Sequence, residues 1–104
     1  MEAVVADVKT TAHNTKVFTA VLTPHFLKRL SERSDITADL IIEMASKFWR
    51  ASLNKAKCYA ELGRYFLVFR RRWDGVREKH TLVFVTFSLN IHPPKDAIKV
   101  AIRH

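Results

Sequence analysis

The chain has 104 residues, 48% hydrophobic and 11% aromatic, enough for one folded domain with a substantial core and too apolar for disorder. Its 18 Lys and Arg against 10 Asp and Glu leave a net charge of +8, which points to a polyanionic partner: RNA, DNA or an acidic protein. The single cysteine, Cys58, excludes an internal disulfide and a cysteine-rich zinc site, and no apolar run is long enough to span a membrane.

Residues 1–16 are expected to form an N-terminal arm or an extra strand, with Val4, Val5 and Val8 as apolar anchors. The start, Met1-Glu2-Ala3, is acidic where a secretory signal would be basic, so a cytoplasmic protein is expected. Val17 to Leu22 is β-branched and apolar and reads as a strand. Thr23 then offers an N-cap and Pro24 the first helical position, predicting a helix from about Pro24 to Arg33. Ser34-Asp35 breaks it. A second helix follows, with Thr37 as N-cap, Asp39 in the first turn and Leu40, Ile41, Met44, Ala45 and Phe48 at the helical period, ending near Arg50.

From Lys57 the period becomes two. Cys58, Ala60 and Leu62 alternate with Lys57, Tyr59 and Glu61, and Gly63-Arg64 reads as a tight turn. The next strand, Arg64 to Trp73, sets Phe66 and Val68 against Tyr65, Leu67 and Phe69. Asp74-Gly75 signals a hairpin, with a return strand from about Val76 to Leu89. Strict alternation puts Leu82 and Phe84 on one face of that strand, and Val83, Val85 and Phe87 on the other. Pro93-Pro94 marks a loop before a last, edge strand with Ile98, Val100 and Ile102. The expected fold is therefore α+β: a strand, two helices, then a four-stranded antiparallel sheet with both helices on one face. Residues 17–104 make a single domain.

Three groups of side chains suggest chemistry. His25, Arg29 and Arg33 recur at i, i+4 and i+8 on the first helix, a titratable imidazole stacked with two permanent cations. Such a set suits proton transfer and phosphate binding, although the solvated side of an amphipathic helix looks the same. Arg70, Arg71, Arg72 and Trp73 face Arg77 and Lys79 across the hairpin, a basic and aromatic surface suited to nucleic acid or to an acidic protein. Arg70 and Arg72 should point one way and Arg71 the other. His80, Thr86 and Ser88 sit at even positions and should share a face. The two isolated glycines, Gly63 and Gly75, cannot build a phosphate-cradling loop, and the five histidines lack metal-ligand spacing, so no metal or other cofactor is expected.

The segment Thr23, His25, Phe26, Arg29 and Arg33, followed by Ile36-Thr37-Ala38-Asp39, resembles a His-x3-Arg-x3-Arg helix motif of an uncharacterised prokaryotic and phage family. That family is related to the RelE and BrnT type of small toxin. The chain departs from the motif at Phe26, where a small residue is usual, and at Ser34-Asp35, where a glycine often ends the helix. The resemblance implies a fold shared with barnase-like, colicin-type and RelE-type endoribonucleases. It implies metal-independent RNA cleavage, with His25 as acid or base and Arg29 and Arg33 on the phosphate. Position alone, not the motif, makes Arg70, Arg72 and His80 the residues expected to guide the RNA or donate the second proton. The implied partners are RNA and an antitoxin or acidic host protein, without a membrane. A non-catalytic phage or bacterial effector that docks through the same basic face is the alternative.

Overall fold

The computed structural model describes residues 2–9, 17–51, 57–76, 78–89 and 98–100. The elements are β1 (Val4–Lys9), β2 (Val17–Leu22), α1 (Pro24–Arg33), α2 (Ala38–Ala51), β3 (Lys57–Leu62), β4 (Tyr65–Asp74), β5 (Lys79–Leu89) and β6 (Ile98–Val100). Both helices start as the sequence predicts. The Thr23 hydroxyl oxygen accepts from the Phe26 N–H at 3.2 Å, and Thr37 does the same for Leu40 at 3.2 Å. No glycine ends α1. Instead the Ser34 hydroxyl and N–H donate to the Leu30 carbonyl at 2.9 and 3.1 Å, and the same hydroxyl accepts from the Ile36 N–H at 3.2 Å.

The class is α+β, but the sheet is not the expected four-stranded antiparallel one. It has six strands in the order β1-β2-β5-β4-β3-β6, and it is mixed. The β1–β2, β3–β4 and β4–β5 pairs are antiparallel; β2 runs parallel to β5, and β6 parallel to β3. Alternation within a strand reveals faces, not the direction of the neighbour. The parallel β2–β5 pair exists because α1 and α2 carry the chain across one face before β3, so the final long strand returns beside β2. Residues Val4–Lys9 form an edge strand of this same sheet.

The β5 strand also departs from strict alternation. Val68 pairs with Thr86, yet the next residue, Phe69, pairs with Phe84, so Val85 is an extra, bulged residue. The bulge reverses the phase of everything beyond it. Phe87, expected opposite Phe84, returns to the same face and is buried with Leu82 and Phe84. That face packs on the helices. The Phe84 ring meets Phe26, Phe48 and Phe69 at centroid separations of 5.6, 5.4 and 5.5 Å. Cys58, Ala60 and Leu62 of β3 lie in the same core. Among the described residues, no helix covers the other face of the sheet.

Two local devices hold this frame. Thr23 donates its N–H and hydroxyl to the Phe84 carbonyl at 3.2 and 3.0 Å, which fastens the start of α1 to β5 where β2 ends. Gly63 has φ +62° in the two-residue β3–β4 turn, as a type II′ turn requires at its first central position. Thr23→Val should lower stability by about 1–2 kcal/mol, and Gly63→Ala by about 1 kcal/mol. Thermal denaturation should show each as a fall in Tm of about 4–8 °C per kcal/mol.

Candidate nucleic-acid interface

The His25, Arg29 and Arg33 side chains do not act as one group. His25 is exposed at the start of α1. Arg29 pairs with Glu32 at 3.4 Å, one turn on, with both side chains more than a third exposed. Arg33 donates from Nη1 to the Phe87 carbonyl at 3.1 Å. The backbone carbonyl of Arg33 accepts from the Tyr65 hydroxyl at 2.7 Å. Arg33 thus ties the end of α1 to the part of β5 that lies beyond β2, a structural task that the i, i+4, i+8 spacing does not reveal.

The β4–β5 hairpin separates its own residues by parity. Trp73 pairs with His80 and Arg71 with Leu82, in the row that continues to Phe69, Phe84, Leu67 and Phe87 on the helix face. Arg70 pairs with Val83 and Arg72 with Thr81 on the uncovered face, joined there by Lys79 opposite Asp74. The alternation expected for Arg70, Arg71 and Arg72 is what the register shows. The shared face expected for His80, Thr86 and Ser88 is not. The Val85 bulge moves Thr86 and Ser88 to the uncovered face, beside Val68 and Phe66, while His80 stays on the helix side. Arg77 lies outside the described residues.

His25 and His80 therefore do not converge. Thr23 fixes the start of α1 at Phe84, and His80 is four residues further along β5, about 13 Å away at strand spacing. The His80 ring sits against aromatic side chains, 5.4 Å from Trp49 and 4.9 Å from Trp73. Trp49 also carries the Arg71 guanidinium 3.7 Å over its ring. Burial lowers the pKa of Arg71, an effect that nearby Cys58 opposes.

The uncovered face holds a feature that the sequence reading missed. Tyr59 of β3 and Phe66 of β4 stack there, with centroids 5.5 Å apart and planes within 13°. Their alternation with Cys58 and Leu67 was the available signal, but only the β3–β4 register brings them together. Beyond this pair, up the strands, stand the exposed guanidinium groups of Arg70 and Arg72. Lys79 follows, partly engaged with Asp7 at 3.8 Å, and Asp7 also accepts from the Thr19 hydroxyl at 3.2 Å. Glu61, opposite Phe66, is the carboxylate nearest the aromatic pair in the strand register. The face offers flat π surface next to fixed cations. Of the described histidines, neither reaches it.

Among the described residues, no three His, Cys, Asp or Glu side chains gather as a metal site needs. No described helix is long and apolar enough to cross a membrane. No known protein family, curated protein or solved structure matches the chain.

If Arg33 is structural and Arg29 is not, stability should separate them. Chemical denaturation should show Arg33→Met less stable by about 1–2 kcal/mol, because the Phe87 carbonyl loses a charged donor. Arg29→Ala should stay within about 0.5 kcal/mol of the parent.

Proposed function

We propose that this chain is a small, toxin-like RNA-binding protein of bacterial or phage origin that holds single-stranded RNA across the uncovered face of its sheet. One observation carries the proposal: the Tyr59–Phe66 stack lies beside Arg70 and Arg72 on a face that no described helix covers. Stacking on aromatic rings requires unpaired bases, whereas a duplex presents only phosphates and groove edges. The cations line the strand path on which the phosphates would lie, and Thr86 and Ser88 add hydroxyls to the same surface. The net charge of +8 would speed encounter with any nucleic acid.

The proposal keeps the partner implied by the sequence and drops histidine catalysis. Cleavage through the ribose 2′-hydroxyl needs a proton acceptor and a donor at one phosphate. His25 stands on the helix layer and His80 is packed between two tryptophans, so the two cannot serve one phosphate on the open face. Among the described residues, the basic face has no paired histidine acid and base for this route.

Binding of a labelled oligouridine, followed by anisotropy across a salt series, tests the proposal. We expect log K to fall with log salt with a slope of about −2, for three phosphate contacts by Arg70, Arg72 and Lys79. Replacing Arg70 and Arg72 together by Ala should remove about two-thirds of that slope. Phe66→Ala should weaken binding about tenfold with the slope unchanged. Salt-independent binding, or binding indifferent to both changes, would overturn the open face as the interface. Total RNA incubated with the protein in EDTA should remain intact; cleavage that disappears in His25→Ala would restore the endoribonuclease reading.

A further inference from the structure

The helix side of the same hairpin carries a second arrangement, which the RNA face does not use. Phe18 stacks on Trp49, with centroids 4.6 Å apart and planes within 8°. The Arg71 guanidinium lies 3.7 Å from the same ring. Two groups this close to one ring cannot occupy the same side of it, so Phe18, Trp49 and Arg71 form a column with Trp49 in the middle. The Phe18 end is fully buried. The Arg71 end is only partly buried. Beside it stands Trp73, 59% exposed, with His80 against its edge at an interplanar angle of 67°.

We propose that this end of the hairpin is a nucleotide site, in which a base stacks on the outer face of Arg71 against Trp73 and its phosphate meets the Arg71 N–H edge. A guanidinium presents its N–H groups in its own plane, a geometry suited to bidentate contact with an oxyanion. Partial burial disfavours its charged form, a cost that a phosphate beside it would offset. An exposed indole next to a planar cation offers two stacking surfaces for one base. The nearest carboxylate on β4, Asp74, lies on the opposite face and accepts from the Val76 N–H at 3.0 Å. The ligand is either a free mononucleotide or one nucleotide of a bound strand. The site shares a class of ligand with the proposed RNA face and none of its residues.

The test titrates the full chain with guanosine 5′-monophosphate, uridine 5′-monophosphate and inorganic phosphate, following tryptophan fluorescence. The chain has two tryptophans, and Trp49 is only 5% exposed, so quenching by a stacked base reports on Trp73. Both nucleotides should quench, phosphate alone should not, and the quenching should vanish in Trp73→Phe. By calorimetry, Trp73→Ala and Arg71→Lys should each weaken the nucleotide about tenfold; the lysine keeps the charge and loses the plane. Arg70→Ala and Arg72→Ala should change mononucleotide affinity less than about twofold. If those two abolish oligouridine binding while the mononucleotide still binds, both sites stand; if oligouridine does not bind but the mononucleotide does, only the open-face proposal fails. If the oligonucleotide needs Trp73 and the mononucleotide binds as well, the site belongs to a bound strand. The proposal is overturned by an equal response to phosphate, by no response at millimolar nucleotide, by Arg71→Lys binding as the parent does, or by quenching from polyglutamate in place of nucleotide. The surface variant Trp73→Ala keeps the test decisive should Arg71→Lys fail to fold.

Discussion

A single extra residue in β5 governs where every side chain beyond it points. The bulge at Val85 lets Phe84 and Phe87, three positions apart, both enter the core. It forms at the level where β2 ends, so the backbone of β5 there has lost its ladder partner on one side. Side chains and a helix start take over. Thr23 meets the Phe84 carbonyl, and Arg33 meets that of Phe87. Buried carbonyls left without partners would each cost about 1–3 kcal/mol, so the bulge and its two capping residues stand or fall together. This is why α1 is bonded to the sheet near both ends, and why one of its two conspicuous arginines is occupied in holding the fold.

The arginine run of β4 shows how a strand divides one local sequence between two environments. Arg70 and Arg72 project to the uncovered face, where they stand exposed to water. Arg71, between them, lies against an aromatic column and is partly desolvated. Attraction to a desolvated ring can reach about 2 kcal/mol, whereas exposed pairs such as Lys79–Asp7 add little. The two faces therefore differ in kind. One is a broad surface with exposed cations; the other is a single cation seated on an aromatic column.

Beneath both lies a core dominated by phenylalanine. Phe26, Phe48, Phe69, Phe84 and Phe87 are fully buried and meet ring to ring. Interlocked rings tolerate little rearrangement, so the sheet presents Tyr59, Phe66 and the cations at fixed spacing. A rigid platform loses less conformational entropy on binding than a flexible one, which favours affinity from few contacts.

Much of this was legible in the residues. The starts of both helices and the end of the first followed from Thr23-Pro24, Thr37 and Ser34, whose side chains bond to their own backbone neighbourhood. The opposite faces of Arg70 and Arg71 followed from the period of two. Such features are local: they depend on the chemistry of a few consecutive residues. The direction of β2 beside β5, the Val85 bulge, the Tyr59–Phe66 stack, the Arg71–Trp49 contact and the separation of His25 from His80 depend on residues far apart in the chain. Spacing on a helix put His25, Arg29 and Arg33 in one row, but only the packing of α1 on β5 drew Arg33 down to a carbonyl. Propensity, capping and alternation act over short range, so the elements, the charge and the composition of the surfaces were readable residue by residue. Which of those residues meet depends on strand register and helix docking, and these are set by the burial of the whole core at once.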